Sequence, residues 1–187
     1  MSGCKMKLAF VIAEDFINYK KTSMTIGFPY CSMKCNIDQG REVCQNTSLC
    51  GRSPLDLTVD TICERYKDND ISQAIVFQGM EPFDSPFDLI SIIDAFRTKY
   101  EIEDDIVIYT GYTEDECNGI FNTDKYPDVN FSKVQAAYNQ IKNFKNIIVK
   151  FGRYIPGDQS HFDEVLGVNL ASSNQYAKVV SSEEKNI

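Results

Sequence analysis

Residues 72–100 read SQAIVFQGMEPFDSPFDLISIIDAFRTKY, and this stretch predicts one complete strand–loop–helix unit. Ser72–Phe77 is a short apolar run, which favours a buried strand. Pro86 suits the first turn of a helix, and the apolar residues after it recur at helical spacing through Tyr100. The segment Gln78–Pro82 follows the strand directly. It therefore lies where open α/β sheets bind their ligands, beyond the carboxyl end of a strand.

The same alternation extends along most of the chain. The other predicted strands are Lys7–Ala13, Ser23–Phe28, Asp105–Thr110 and Asn146–Phe151. The other predicted helices run from Asp56 or Thr58 to Lys67, from a capping box of Thr113 and Glu116, and over Phe131–Asn143. Strands that alternate with helices predict an α/β fold with βαβ units and a mainly parallel sheet. We therefore expect four post-strand loops to converge on one edge of the sheet.

Length and composition predict a single domain over residues 1–187, with a cysteine-rich loop over residues 31–54 and an irregular tail from about residue 156. The polar end SSEEKNI is expected to fray. A net charge of −8 disfavours non-specific binding to nucleic acid or to anionic membranes. There is no 18-residue apolar run and no signal-peptide core, so we expect a cytoplasmic protein with no membrane or nucleic-acid partner.

Four of the seven cysteines fall within 20 residues: Cys31, Cys35, Cys44 and Cys50. Because cytosolic thiols stay reduced, this cluster indicates a soft metal rather than disulfides. Structural zinc prefers two close cysteine pairs, whereas an iron–sulfur cluster tolerates wider spacing, so iron–sulfur is the preferred interpretation. Zinc and inert or redox-active thiols remain as alternatives. The isolated Cys4, Cys63 and Cys117 are expected to be small buried apolar residues.

Four stretches carry a resemblance to a known family. They are GFPYCSMKC at 27–35, FQGMEP at 77–82, YTGYT at 109–113 and ASSNQ at 171–175. The first two resemble the C-x3-C and GGEP motifs of the radical S-adenosylmethionine (SAM) superfamily. The last two resemble motifs of the protein that activates anaerobic (class III) ribonucleotide reductase, a glycyl-radical-enzyme activase.

The resemblance implies a partial, open β/α barrel and a catalytic [4Fe–4S] cluster held by Cys31, Cys35 and Cys44. It implies that SAM binds the open iron and that Gly79 and Glu81 hold its ammonium group. Reductive cleavage of SAM would give a 5′-deoxyadenosyl radical, which takes a hydrogen atom from a glycine of the partner reductase. Reduced flavodoxin or ferredoxin would supply the electron. The implied cofactor-binding residues are Tyr30, Met33, Gln78, Gly79, Met80, Glu81, Tyr109, Thr110 and Gly111.

Three departures from the family pattern affect these expectations. The family has C-x3-C-x2-C, but Asp38 stands where the third cysteine is expected. We choose Cys44 as the third ligand because it closes the smaller loop, with Cys50 as its rival. Met80 replaces the second glycine of GGEP, which costs strain if that position needs a positive φ. The DGxGxR-like segment of the activases is missing, and Asn18–Ser23 occupies its place.

Other interpretations stand beside this one. Taken alone, Glu81 is a solvated loop acid, and Asn174 with Gln175 is a polar surface pair. A small radical SAM enzyme that modifies another substrate, such as a nucleoside precursor or a peptide, is the first alternative function. A non-catalytic binding module stabilised by zinc is the second.

Overall fold

The computed structural model describes residues 5–181, which form ten strands and five α-helices. The strands are β1 Lys5–Leu8, β2 Phe10–Asp15, β3 Ser23–Phe28, β4 Leu55–Thr58, β5 Ala74–Gly79, β6 Asp105–Tyr109, β7 Ile147–Phe151, β8 His161–Asp163, β9 Val168–Leu170 and β10 Tyr176–Val179. The helices are α1 Lys34–Gln39, α2 Val59–Lys67, α3 Pro86–Asp94, α4 Glu114–Cys117 and α5 Phe131–Ile141. No helix among these residues is long and apolar enough to cross a membrane.

The central sheet has six strands in the order β10-β7-β6-β5-β3-β2. The four inner strands β3, β5, β6 and β7 run parallel, and the two edge strands pair antiparallel with them. The carboxyl ends of the four inner strands consequently lie along one edge. The closure of this sheet into a partial barrel stays a prediction.

Side chains of the inner strands alternate between two apolar layers, as the period of a strand requires. Ile75 and Phe77 pack in the larger layer beneath α2, α3 and α5, whereas Ala74 and Val76 belong to the smaller layer on the opposite face. The smaller layer is completed by Tyr19 and by residues of the carboxyl-terminal hairpin formed by β8 and β9. Both faces are thus covered, which explains why these strands read as continuous apolar runs.

Several predicted features are confirmed. Thr58 caps α2 by accepting a hydrogen bond from the backbone N–H of Thr61. Thr113 and Glu116 form the predicted capping box at the start of α4. Helix α3 continues as a π-helical turn over Ala95–Lys99, so the helical segment reaches nearly to Tyr100. Cys63 and Cys117 are buried. Cys4 and residues 182–187 of the predicted frayed end lie outside the described residues.

Three predictions of local structure are wrong. The single strand over 7–13 is two strands, because the chain at Ala9 leaves the pairing of β1 with β4 and joins β3. The segment over 31–54 is not all loop, since it contains α1 and a 3₁₀ turn over Thr47–Leu49. The tail from 156 is not irregular, because it supplies β8, β9 and β10. These three strands are three or four residues long, too short to leave a clear alternating pattern in the sequence.

Candidate metal centre

The loops that follow β3, β5, β6 and β7 line one cavity of about 350 Å³. Three thiols face it: Cys31, Cys35 and Cys44. The segments Gln78–Glu81 and Tyr109–Gly111 form the neighbouring part of its wall. The predicted convergence of four post-strand loops is therefore observed.

Three other predicted site residues are not among those lining this cavity. Tyr30 borders a second cavity that Cys31 also lines, and its side chain is half exposed. Met33 precedes α1 in a left-handed conformation with φ 55°. Cys50, the rival third ligand, is exposed.

The turn from Cys31 to Cys35 is stabilised in part by a hydrogen bond within the turn itself. The backbone N–H of Met33 donates to the Cys31 sulfur at 3.2 Å, and the left-handed Met33 then starts α1. Burial raises the pKa of the Cys31 thiol to about 12, and the nearby Glu81 carboxylate adds to the effect. Burial also raises the pKa of Cys35, although the backbone N–H of Tyr154 donates to this sulfur. In the absence of metal, both cysteines therefore favour the protonated thiol. A bound metal would favour the thiolate instead, since the thiolate is the form that binds metal.

Cys44 lies in a turn whose position at the cavity is fixed by side-chain hydrogen bonds rather than by a helix or strand. The Asn36 Oδ1 atom accepts from the backbone N–H groups of Val43 at 2.9 Å and Cys44 at 3.1 Å. The side chain of Asn46 donates to the carbonyl oxygen of Gly79 at 2.5 Å. These bonds fasten the turn that carries Cys44 to α1 on one side and to the end of β5 on the other.

Asp38, at the position of the missing cysteine, does not line the cavity. It pairs with Lys125 at 2.8 Å, accepts a hydrogen bond from the Tyr126 hydroxyl and lies 3.1 Å from Arg153 Nε. Burial acts to raise the pKa of Asp38, but the hydrogen bonds from Lys125 and Tyr126 outweigh it and hold the pKa below its usual value. Arg153 also pairs with Glu116. Asp38 therefore anchors α1 to this network of charged and polar groups.

Glu81 joins the loops that follow β5 and β6. Its side chain is buried, and its Oε1 atom accepts from Thr110 Oγ1 at 2.8 Å and from the Phe83 N–H at 3.1 Å. Its Oε2 atom accepts from the Gly111 N–H at 2.9 Å. Burial raises the pKa of Glu81 to about 7, although the Lys34 ammonium acts in the opposite direction. The interpretation of Glu81 as a solvated loop acid is therefore wrong.

Gly79 requires glycine, whereas the positions of Gly111 and Met80 do not. Gly79 has φ +93°, and a Cβ atom there would lie 2.7 Å from the Phe28 backbone nitrogen. A Cβ on Gly111 would lie 3.5 Å from Glu81 Oε2 and 3.8 Å from the Cys35 sulfur. Met80 is not among the described residues with a positive φ, so the replacement of the second glycine of GGEP costs no strain here.

Sequence reasoning missed Lys150, which lines the cavity from β7 and is 6% exposed. Its Nζ atom donates to the carbonyl oxygen of Gly152 at 2.8 Å. Burial lowers the pKa of Lys150 to about 8, although the charge of Glu81 acts to raise it. The signal was present in the sequence, because a lysine interrupts an otherwise apolar strand.

The surface interpretation of Asn174 and Gln175 holds for one residue only. Asn174 is exposed, and its side chain donates to the carbonyl oxygen of Arg153. Gln175 is buried and lines the cavity. Its Oε1 atom accepts from the backbone N–H groups of Ala171 at 3.0 Å and Ser172 at 3.1 Å. The ASSNQ segment thus contributes Ala171 and Gln175 to the lining of the cavity.

A family model described as a 4Fe-4S single cluster domain matches residues 22–149. The match spans all three cavity cysteines as well as Glu81 and Gly111. The chain belongs to this family of 4Fe-4S single cluster domains. Neither a curated protein nor a solved structure matches the chain.

The donor set fits the cluster of this family. Thiolates are the usual ligands of iron–sulfur clusters, and the three cavity thiols are free rather than paired in disulfides. Among residues 5–181, no three Cys, His, Asp or Glu side chains are grouped closely enough to hold a single metal ion. The cavity, at about 350 Å³, is also within the range of ~300–1,000 Å³ that is usual for cofactor and ligand sites. The three cavity thiols of Cys31, Cys35 and Cys44 thus fit the donor chemistry of a cluster, and their assignment as its ligands stays a prediction.

Proposed function

We propose that this protein is a radical SAM enzyme whose cavity binds a [4Fe–4S] cluster and SAM side by side. The observation that carries the proposal is that three thiols, the segment Gln78–Glu81 and the segment Tyr109–Gly111 all line one cavity. Three thiolates leave one iron of a four-iron cluster without a protein ligand, and that iron is where SAM would bind. A reduced cluster bound in this cavity would supply the electron that cleaves SAM to methionine and a 5′-deoxyadenosyl radical.

The charges in the cavity are complementary to the amino-acid end of SAM, which carries an ammonium and a carboxylate. A carboxylate has about four acceptor positions, and three of those on Glu81 are already used by Thr110, Phe83 and Gly111. The remaining one is on Oε2, the oxygen nearest Gly111. Glu81 would therefore accept one hydrogen bond from the SAM ammonium and would be held in place by the other three.

Lys150 would bind the carboxylate of SAM. Its ammonium has three donors, and within residues 5–181 only one of them is used, by the carbonyl oxygen of Gly152. Because the lysine is almost fully buried, water solvates its ammonium poorly. An incoming carboxylate would supply the charged hydrogen-bond partner that the ammonium lacks. Ile17, Val168 and Leu170 also line the cavity and would supply apolar surface for the adenosyl group.

The substrate of the radical is proposed to be a glycine of anaerobic ribonucleotide reductase. The YTGYT and ASSNQ segments support this choice through their resemblance to the activase, and both contribute residues to the cavity. Reduced flavodoxin or ferredoxin is the proposed electron donor, on the same resemblance. Another radical SAM substrate, a nucleoside precursor or a peptide, would use the same cavity and the same cleavage step.

The test is SAM cleavage by the anaerobically reconstituted protein with dithionite as reductant. We expect 5′-deoxyadenosine to form, and we expect no product from a variant that combines Cys31→Ala with Cys35→Ala. A double variant that cleaves SAM as well as the parent protein would overturn the proposal. A colourless protein that holds one zinc ion and makes no product would support the zinc-module alternative instead.

The contribution of Lys150 is tested by SAM binding to the cluster-loaded protein. Lys150→Met should weaken binding at least tenfold, because the carboxylate loses its charged partner, and Lys150→Arg should retain part of the affinity. Lys178→Met is the matched control, since Lys178 lies on the adjacent strand β10 and pairs with Glu114 at the surface. Equal affinity for the Lys150→Met variant and the parent would remove Lys150 from the proposed site.

A further inference from the structure

Lys34 is a buried charge that neither the cluster nor SAM accounts for. It lies in sequence between the two ligands Cys31 and Cys35, and it is 3% exposed. Its ammonium does not line either of the two cavities that contain Cys31. The Nζ atom instead lies 2.9 Å from the centroid of the Tyr112 ring, on the face that attracts cations.

The surroundings fix this ammonium in place. The Tyr112 hydroxyl donates to Asp84 Oδ1 at 2.6 Å, which holds the ring, and Asp84 Oδ2 accepts from the Ser32 N–H at 2.5 Å. The Lys34 ammonium donates to the Ser32 hydroxyl at 3.4 Å. The same residues therefore hold both the ammonium and the turn that carries Cys31.

No contact ion pair cancels the charge of Lys34. Among the described residues, no carboxylate oxygen lies within 4 Å of its Nζ atom, although Glu81 and Asp84 are close enough to interact with it. Arg153 provides the contrast, because it pairs directly with Glu116 and lies 3.1 Å from Asp38. The Lys34 ammonium therefore interacts with its two nearby carboxylates without direct contact, and little solvent reaches it to screen its charge.

The field of this charge acts on the cluster site. Lys34 directly precedes Cys35 in the chain, and its ammonium donates to the hydroxyl of Ser32, the residue that follows Cys31. Reduction places one additional electron on a cluster and breaks no bond. A fixed positive charge nearby stabilises the reduced form, and net charge around a cluster is one of the factors that set its potential.

We propose that Lys34 is a positioning residue that raises the reduction potential of the cluster through its fixed charge. This inference rests on the proposed cluster site at Cys31, Cys35 and Cys44. Its consequence is chemical: removal of the charge makes the cluster harder to reduce, even where the cluster itself is retained. An electron donor of a given potential would then reduce a smaller fraction of the protein.

The experiment is a redox titration of the reconstituted protein in which the EPR signal of the reduced cluster is measured at each potential. Lys34→Met should shift the midpoint potential to a more negative value, and Lys34→Arg should keep it close to that of the parent. Lys34→Gln provides a second neutral variant that retains hydrogen bonding, in case the methionine variant does not fold. Lys133→Met is the control, because Lys133 is an exposed lysine near the same cysteine turn.

A neutral variant with four irons and an unchanged midpoint potential would overturn the inference. So would a control variant at Lys133 that shifts the potential as far as the variants at Lys34. Failure of the proposed cluster site would be distinguishable, because the parent protein itself would then bind no cluster. A shift shared by the two neutral variants and absent from Lys34→Arg is the result that supports a role for charge.

Discussion

The two walls of the cavity are built in different ways. One wall follows the ends of parallel strands, where the pairing of β5 with β3 places Gly79 and the Glu81 carboxylate accepts from the Gly111 N–H, which joins the two loops. The other wall belongs to the cysteine segment, residues 31–54. Its turn at Cys44 is held mainly by the side chains of Asn36 and Asn46. The comparison teaches that the sheet provides a rigid half of the site, while a few polar side chains arrange the half that would bind the metal.

The largest expected effect separates the two candidate ligands on the cysteine wall. Cys44→Ala should abolish stable binding of the four-iron cluster, because only two cavity thiols would remain. Cys50→Ala should leave the iron content at about four per protein, since Cys50 is exposed and is not among the residues lining the cavity. Iron and sulfide analysis after anaerobic reconstitution measures both variants. Loss of iron from the Cys50 variant alone would assign the third ligand to Cys50 and contradict the account of this wall.

A second prediction concerns the rigid wall. Gly79→Ala should lower the free energy of unfolding by about 2–5 kcal/mol, because it combines a strained positive φ with overpacking against β3. Gly51→Ala is the matched control in the cysteine segment, since Gly51 also has a positive φ (+72°) but no atom within 4 Å of a new Cβ. It should cost about 1–2 kcal/mol, from backbone strain alone. Denaturant unfolding of the two apoproteins measures the difference, and equal losses would show that the strand end is not as tightly packed as described.

A smaller effect is expected at the side chain that holds the Cys44 turn. Asn36→Ala removes the acceptor for the N–H groups of Val43 and Cys44, and should lower the free energy of unfolding by about 1–3 kcal/mol. Cluster assembly should also slow, because the third thiol is no longer held towards the cavity. Asn139→Ala, at an exposed position of α5, is the control and should change neither quantity measurably. Reconstitution of the Asn36 variant at the parental rate would show that other contacts position Cys44.

The contrast between the walls also explains what the sequence could predict. The inner strands, α2, α3 and α5 have apolar patterns of the correct period, so the convergence of their loops followed from the pattern. The burial of Glu81 did not follow, because it depends on Thr110 and Gly111, which are distant in sequence and close only in the folded chain. The strands β8, β9 and β10 were not predicted, because three or four residues are too few to show an alternating apolar pattern.

The cysteine segment was the least predictable part of the site. Helix α1 is six residues long and has one buried residue, so it carries no amphipathic pattern. Loop length favours Cys44 over Cys50, whereas the structure places Cys44 through the hydrogen bonds of Asn36 and Asn46. Lys34 and Lys150 were visible as lysines in unusual positions, but their burial depends on packing that no local pattern encodes.

The most direct test of the account is the EPR spectrum of the reduced, reconstituted protein before and after the addition of SAM. The central claim is that one cavity holds the cluster and SAM together, with one iron left open by three thiolate ligands. We expect a [4Fe–4S]⁺ signal whose g values change when SAM binds, and a smaller response at equal SAM concentration in the Lys150→Met variant. A four-iron cluster whose spectrum is identical with and without saturating SAM would contradict it.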